Sequence, residues 1–285
     1  MKKTLTVLMM VLLAAMLIVS CDGSSKEPKS ETPTTPTTPA EPTPSTYMVT
    51  FRLGESSSTG SAFDAQEIVE GEKAQKPATN PIATDKYKTF DFWSADGATE
   101  FKFDETPITK DIVLQAVYRD YEVGDTGPAG GVIFFVATSE QSSTYNGETI
   151  TWKCLEAAPA DISGTSIWGS SDELCMGNKG IETELGKGWS NTKKLVSYFA
   201  AAEACRTYGD NTGYDDWFLP SRGELALMYT NRNTIGGFDT SEGRSYWTSS
   251  APGTSSAYGI RFDTGNLTPY NRNNIKCKIR PIRAF

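Results

Sequence analysis

The sequence predicts an α+β fold that follows a disordered stalk. Apolar and polar residues alternate at Met48–Leu53 and at Ala257–Phe262, which is typical of strands that bury one face. A helix is indicated after Pro220, because Ser221 and Glu224 have the spacing of a capping box. Between residues 22 and 46, in contrast, six prolines interrupt a polar stretch that cannot bury enough apolar surface to fold.

The first residues have the pattern of a bacterial export signal. Two lysines precede an apolar run at Leu5–Val19, which is shorter than the ~20 residues that a membrane-spanning helix needs. The run leads into Ile18–Cys21, which resembles a lipobox, the signal in which the cysteine thiol is acylated. The resemblance implies that residues 1–20 are removed and that lipid on Cys21 anchors the protein to the cell envelope. The outer membrane or the cell surface is favoured over the inner membrane, and a soluble secreted protein is the alternative.

Residues 21–46 are predicted to be the lipid anchor and a Pro/Thr-rich disordered linker. Proline biases such a segment toward polyproline II. At ~3.1 Å per residue the linker reaches at most ~75 Å. We expect it to hold the folded part away from the membrane; docking of a partner on a Pro-x-x-Pro segment is the alternative.

The composition excludes several classes of function. The chain has no histidine, which excludes a Ser-His-Asp triad and histidine-ligated metals. The formal net charge of −8 disfavours binding to nucleic acid. Asp215 and Asp216 are adjacent, so that on an extended segment they point to opposite faces rather than forming a catalytic carboxylate pair. We therefore expect no enzyme, no cofactor and no metal site.

The cysteines beyond Cys21 are an even set, which in an exported protein favours disulfides. They are Cys154, Cys175, Cys205 and Cys277. None has Cys-x-x-Cys spacing, which disfavours a zinc or thiol-redox site. Four cysteines allow three pairings, and their spacing alone does not choose among them.

Residues 47–119 are predicted to form a small domain of short strands. Besides Met48–Leu53, strands are indicated at Phe101–Phe103 and Ile112–Tyr118, with turns at Ser56–Gly60 and Ala95–Gly97. The segment also carries a series of motifs in a defined order. They are Tyr47-x-Val49-Thr50-Phe51, Lys76-Pro77, Phe90-x-x-Trp93, Phe101-x-Phe103, Pro107-Ile108-Thr109 and Asp111-Ile112-x-Leu114-x-Ala116.

These motifs resemble the Listeria–Bacteroides repeat. The resemblance implies a β-grasp-like module with a spacing or weakly adhesive role, and Trp93 is expected to be a core aromatic. The segment departs from the family in two ways. Val117-Tyr118 stands where Lys-Trp is usual, and the repeat is single rather than tandem.

Residues 120–285 are predicted to form a second domain. The glycine-rich run Gly124–Gly131 precedes an apolar strand and lacks Gly-Lys-Ser/Thr, which favours a tight turn over a phosphate loop. A helix is predicted from a cap at Ser190 or Asn191 to Gly209, with Cys205 in its last turn. Another follows Ser221. Further strands are predicted at Val132–Val136, Tyr246–Ser250, Ala257–Phe262 and Ile275–Arg283.

Four motifs that follow a predicted helix carry a second resemblance. They are Asp216-Trp217-x-Leu219-Pro220-Ser221-x-x-Glu224-Leu225, Tyr246-Trp247-x-Ser249-Ser250, Tyr258-x-Ile260-x-Phe262 and Cys277-x-Ile279-Arg280. In this order they resemble the Lcl C-terminal domain family, which implies a C-type-lectin-like fold over residues 120–285. It also implies disulfides Cys205–Cys277 and Cys154–Cys175, with Trp217 and Trp247 in structural roles. Neither calcium-binding triplet of sugar-binding lectins of this fold, Glu-Pro-Asn or Trp-Asn-Asp, is present, so calcium-dependent sugar binding is not supported.

The polar stretch between Phe262 and Ile275 is the predicted ligand-binding face. Its candidate residues are Asp263, Asn266, Tyr270, Asn271, Arg272, Asn273 and Asn274. Tyrosine, arginine and asparagine are favoured in recognition loops, and the alternative is a solvated hairpin. Replacing Tyr270 and Arg272 with alanine is expected to abolish binding without lowering thermal stability.

Together these features predict a lipid-anchored cell-envelope protein that presents a lectin-like domain for adhesion or ligand binding. Its partners would be the membrane, through Cys21, and a host or envelope glycan or protein. The alternative is a structural envelope lipoprotein that docks another envelope component and has no external ligand.

Overall fold

A computed structural model describes residues 43–54, 63–169, 181–196 and 198–285. The predicted signal sequence, Cys21, most of the linker, the turn at residues 56–60 and Cys175 lie outside these ranges. Pro44–Phe285 form one compact unit. The described residues form sheets with few helices, which confirms a fold of mixed α and β structure. No helix among them is both long enough and apolar enough to cross a bilayer.

The first sheet contains four strands, in the order β2-β1-β4-β3. They are β1 (Thr46–Arg52), β2 (Gln66–Val69), β3 (Lys88–Ser94) and β4 (Ile112–Asp120). The central pair, β1 and β4, is parallel, and the outer strands are antiparallel to their neighbours. Trp93 is buried on one face, with its ring 5.0 Å from that of Phe51.

The predicted strand at Phe101–Phe103 is wrong. These residues belong to an irregular segment that crosses the buried face of the first sheet, where Phe101 N donates to Trp93 O at 2.7 Å. Phe101 and Phe103 both pack into the core beneath the sheet. The apolar–polar alternation that predicted a strand therefore arises because two aromatic side chains of a loop point into the core.

Two further sheets of three strands each are built from residues 132–284. One has the order β10-β6-β5 and the other the order β7-β8-β9. Their strands are β5 (Val132–Tyr145), β6 (Glu148–Ala157), β7 (Ser245–Trp247), β8 (Ser256–Arg261), β9 (Leu267–Asn271) and β10 (Ile282–Ala284). The predicted strand at Ile275–Arg283 is thus mostly irregular, and its earlier part is held by isolated bridges from Cys277 to Ser166 and from Lys278 to Tyr246.

The helices are α1 (Gly188–Leu195), α2 (Ala200–Thr212), α3 (Arg222–Thr230) and the short α4 (Arg232–Ile235). The capping box of α3 is confirmed, since the Ser221 and Glu224 side chains each accept from the other residue's backbone N–H. The single helix predicted from Ser190 to Gly209 is wrong. Extended backbone at Phe199 separates α1 from α2, and its ring packs 4.7 Å from Trp168.

Gly209 lies inside α2 and does not end it. The helix ends at Gly213, whose φ of 79° is the left-handed conformation that glycine adopts without strain. Gly209 is needed for close packing instead, because a Cβ there would lie 2.6 Å from Tyr214 O. Cys205 is therefore in the middle of the helix rather than in its last turn.

The glycine-rich run forms a turn that surrounds a buried carboxylate. Gly131 N donates to Glu156 Oε1 at 2.7 Å, and Ala129 N donates to the same oxygen at 3.1 Å. A Cβ on Gly127 would lie 2.3 Å from Glu156 Cδ, so only glycine allows this approach. Burial raises the pKa of Glu156, while these N–H donors and Arg283 oppose the rise.

The implied disulfide Cys205–Cys277 is not formed in the structure, and the implied disulfide Cys154–Cys175 includes Cys175, which lies outside the described residues. Cys205 and Cys277 are buried in one core cluster with Trp168, Phe199 and Trp247, yet both are free thiols. Cys154 is also free and buried. These thiols fill the core as small apolar side chains. Burial raises the pKa of Cys154 and of Cys277 to about 12, and that of Cys205 further still, which leaves all three protonated at neutral pH.

Candidate functional site

The residues of the predicted ligand-binding face lie in the turn between β8 and β9, on β9 itself and in the turn that follows β9. Asp263 lies in the hairpin turn, where Arg261 Nε donates to it at 3.0 Å and Gly243 N at 3.1 Å. The hydrogen bond from Arg261 holds the pKa of Asp263 well below its usual range. Asn266 lies exposed in the same turn.

The other residues of the predicted face separate into exposed and packed groups. Asn271, Asn273 and Asn274 are exposed. The Tyr270 ring packs 5.9 Å from that of Trp247, and its hydroxyl is hydrogen-bonded to Ser245 Oγ at 2.8 Å.

Arg272 does not belong to an exposed recognition loop. It is only 3% exposed, and its guanidinium lies 5.3 Å from the Phe199 ring. Its carbonyl accepts from Trp168 N at 3.1 Å. The Tyr270/Arg272 double substitution would therefore remove packing as well as any binding, so it does not separate the two effects.

A pocket elsewhere in the same part of the chain is better suited to hold a ligand. This aromatic pocket has a volume of about 270 Å³ and lies between α1, α2 and the segment before α3. It combines aromatic walls with charged side chains of both signs. Its lining residues are Trp189, Thr192, Lys193, Val196, Arg206, Asp210, Asp215, Asp216, Trp217 and Phe218.

The walls of the aromatic pocket are fixed by hydrogen bonds. Trp217 Nε1 donates to Thr212 Oγ1 at 3.1 Å, at the end of α2. The Thr192 hydroxyl accepts from Leu219 N at 3.0 Å and donates to Leu219 O at 3.3 Å. These bonds join α1 to the segment that carries Trp217, so the aromatic walls are held in place without a ligand.

Most charges of the pocket are held in ion pairs. Arg206 pairs with Asp210 at 2.8 Å, one turn apart on α2. Asp216 accepts from two nitrogens of Arg283, at 2.9 and 2.7 Å. Asp215 is exposed and has no ion pair among the described residues, so its carboxylate is available to a ligand.

The arrangement is suited to binding a small polar molecule with an apolar face. Ligand pockets usually combine aromatic walls with a few fixed polar groups, and those for drug-sized molecules span about 300–1,000 Å³. The aromatic pocket, at about 270 Å³, is slightly smaller and has room for about one ring. Among the described residues, no group of three or more acidic or cysteine side chains could hold a metal ion.

Sequence reasoning missed this pocket because three separate segments contribute to it. Trp217 was interpreted as structural, and Trp189 and Arg206 had no motif to mark them. The only local signal was the i,i+4 spacing of Arg206 and Asp210, which by itself indicates an exposed helical ion pair.

Comparison with known proteins adds no assignment. No protein-family profile matches the chain, and no curated protein matches it. The resemblances to the Listeria–Bacteroides repeat and to the Lcl C-terminal domain family therefore rest on the motifs given above.

Proposed function

We propose that the chain is a lipid-anchored cell-envelope protein that binds a single sugar unit of a glycan in its aromatic pocket, without catalysis. The observation that carries this proposal is the pocket itself, with Trp189 and Trp217 beside fixed charges and one unpaired carboxylate. Adhesion or ligand capture at the envelope would be the result.

The chemistry of a sugar ring fits this lining. A pyranose has an apolar face of C–H groups and a rim of hydroxyls. Trp189 and Trp217 are 4% and 3% exposed, so they would contact the apolar face through the small part of each ring that reaches the pocket. Arg206 is exposed and would donate to a hydroxyl, whereas Asp216 already gives both of its oxygens to Arg283. Asp215 would accept directly from a hydroxyl.

Binding without catalysis is favoured because two of the three carboxylates in the pocket are already paired with arginines. Hydrolysis of a glycoside requires two carboxyl groups that flank the bond. Asp216 gives both oxygens to Arg283, and Asp210 is paired with Arg206. This leaves Asp215 as the pocket carboxylate that a ligand would reach without displacing an arginine.

The finer architecture belongs to the same proposal. The parallel pair of β1 and β4 at the centre of the first sheet supports a β-grasp-like module, which would act as a spacer. Two hydrogen bonds favour a stiff connection between the first sheet and the remainder of the unit. Lys86 Nζ donates to Thr151 O at 2.8 Å, and the Tyr87 hydroxyl donates to Glu140 Oε2 at 2.7 Å. A C-type-lectin-like fold for residues 120–285 is likewise proposed.

Anchoring can be tested by replacing the lipidated cysteine. The Cys21→Ser variant is expected to lose acylation and to leave the membrane fraction, because no acyl chain then holds it. Cell fractionation, with mass spectrometry of the mature N-terminus, measures both effects. Cys175→Ser is the matched control and should remain in the membrane fraction. Equal membrane association of the wild type and Cys21→Ser would contradict the anchor.

Ligand binding can be tested on a glycan array with the full chain. Saturable binding is expected, and we expect Asp215→Asn and Arg206→Ala each to weaken it about tenfold or more, equivalent to ~1.4 kcal/mol. Both side chains are exposed on the surface, so the melting temperature should hardly change.

Asp64→Asn is the control for the array, because it removes the same charge from an exposed site in the first sheet's part of the chain. Its binding should equal that of the wild type. Failure of the folded wild type to bind any glycan would contradict the proposal and favour a structural envelope role. Unchanged binding by both pocket variants would show that the ligand lies elsewhere.

A further inference from the structure

A second, smaller cleft lies beside β7 and β9. This basic cleft has a volume of about 70 Å³ and is bordered by Arg244, Lys276 and Lys278, together with the hydroxyl-bearing residues Ser245 and Tyr270. We propose that the basic cleft binds a compact tetrahedral oxyanion, a sulfate or phosphate group, either free or carried on a larger ligand.

The first support is an excess of positive charge at the cleft of an acidic chain. The formal net charge is −8, yet neither Lys276 nor Lys278 forms an ion pair among the described residues. Arg244 is 54% exposed and forms a long ion pair, 3.4 Å, with Asp239. The hydrogen bonds from Ser241 lower the pKa of that carboxyl, and the charges of Arg244 and Lys278 both lower it further. The three cations outnumber this one carboxylate, and an anion bound between them would relieve their mutual repulsion.

The nearby carboxylates are already engaged. Asp263 is bound by Arg261 and by the backbone N–H of Gly243. Asp239 accepts from Ser241 through both the backbone N–H and the hydroxyl. These internal bonds occupy acceptor positions on both carboxylates, so Asp239 balances the positive charges of the cleft only in part.

The hydroxyls add a hydrogen-bond donor. Ser245 Oγ and Tyr270 Oη lie 2.8 Å apart, and either can be the donor. Their mutual bond uses one of the two hydroxyl protons, so the other can be donated to a third group. An oxyanion accepts such a proton readily, and hydrogen bonds to a charged acceptor are the stronger ones.

The backbone under the cleft is fixed before any ligand binds. Lys278 N donates to Ser245 O at 2.8 Å, and Lys278 O accepts from Trp247 N at 3.0 Å. Arg244 O accepts from Phe262 N at 3.0 Å. The backbone that carries the Arg244 and Lys278 side chains is therefore fixed, so that binding would have to order only the side chains themselves.

The size of the cleft selects a functional group rather than a whole molecule. At about 70 Å³ it is much smaller than the aromatic pocket of about 270 Å³. A sugar ring would not enter it, but a tetrahedral oxyanion projecting from a ligand would. This site is distinct from the aromatic pocket, with which it shares no lining residue.

The test is calorimetric titration of the full chain at physiological salt with four probes. These are inorganic sulfate, inorganic phosphate, a sulfated disaccharide and the same disaccharide without sulfate. Saturable binding of at least one of the three oxyanion probes is expected. Any binding of the unsulfated disaccharide should be unaffected by Lys276→Gln or Lys278→Gln, because it would take place in the aromatic pocket. Binding of the sulfated disaccharide that is tighter than that of both sulfate and the unsulfated disaccharide would identify a carried group, and binding no tighter than that of sulfate would identify the free anion.

The variants for this titration are Lys276→Gln and Lys278→Gln, each expected to weaken oxyanion binding at least about fivefold through loss of one charge-assisted contact. Lys110→Gln, which removes an exposed charge from another part of the chain, should not change it. Asp215→Asn should also leave it unchanged, which separates this site from the aromatic pocket. Absence of saturable binding by all three oxyanion probes, or equal weakening by Lys110→Gln, would overturn the proposal.

Discussion

Replacing Arg280 with alanine is expected to lower the free energy of unfolding by about 3–5 kcal/mol, because it breaks a buried and fully hydrogen-bonded ion pair. Arg280 is completely buried. Its Nε donates to Asp161 Oδ1 at 2.7 Å, and its terminal nitrogens donate to the carbonyls of Ala158 at 3.0 Å and Gly237 at 2.7 Å. Its loss would leave Asp161 with Tyr246 as its remaining hydrogen-bond donor.

Urea denaturation of the full chain would measure this effect. Arg52→Ala is the matched control, since Arg52 is exposed on β1 and its replacement should change stability by less than about 0.5 kcal/mol. If Arg280→Ala cost no more than Arg52→Ala, the network around Asp161 would not be a main source of stability.

Trp247→Ala is expected to cost a similar amount, about 3–5 kcal/mol, through loss of buried area and the cavity left behind. Trp247 is 0% exposed and packs in the cluster that contains Cys205 and Cys277. Its indole N–H donates to Ser166 O at 2.7 Å, so the substitution also removes a partly buried hydrogen bond.

The same urea denaturation experiment distinguishes the loss of packed apolar volume from the loss of the hydrogen bond. Trp247→Phe keeps most of the apolar volume but removes the N–H donor, so its loss of stability should be clearly smaller than that of Trp247→Ala. Tyr198→Ala serves as the control because Tyr198 is 58% exposed. A loss for Trp247→Ala no larger than that for Tyr198→Ala would contradict the role of Trp247 in the core.

The sequence predicted those features that depend on neighbouring residues. The capping box of α3 uses two residues three positions apart, and both of its hydrogen bonds are formed. The alternation at residues 257–262 predicted a strand, and β8 covers Ser256–Arg261. The burial of Trp93 likewise agrees with its interpretation as a core aromatic.

The features that were missed depend on distant contacts. The break between α1 and α2 follows from the packing of Phe199 against Trp168, 31 positions earlier in the sequence. Arg272 was expected to be exposed because its neighbours are polar, yet it packs over the same phenylalanine ring. Neither contact leaves a local pattern that composition or periodicity could reveal.

The candidate site could be predicted least of all. The predicted face was chosen for its polar composition, but a polar side chain can also be hydrogen-bonded within the protein. Tyr270, for example, is hydrogen-bonded to Ser245. The aromatic pocket brings together residues from α1, α2 and the segment before α3. Only the folded arrangement shows that Trp189, Asp215 and Trp217 border one cavity.

Fluorine NMR of the full chain labelled with 5-fluorotryptophan tests the central claim most directly. The chain has six tryptophans, of which Trp189 and Trp217 line the aromatic pocket, and each resonance can be assigned by a Trp→Phe substitution. Titration with a panel of monosaccharides is expected to shift the Trp189 and Trp217 resonances saturably, while the other four stay unchanged. No shift with any sugar, or shifts confined to the other tryptophans, would contradict a sugar-binding site in this pocket.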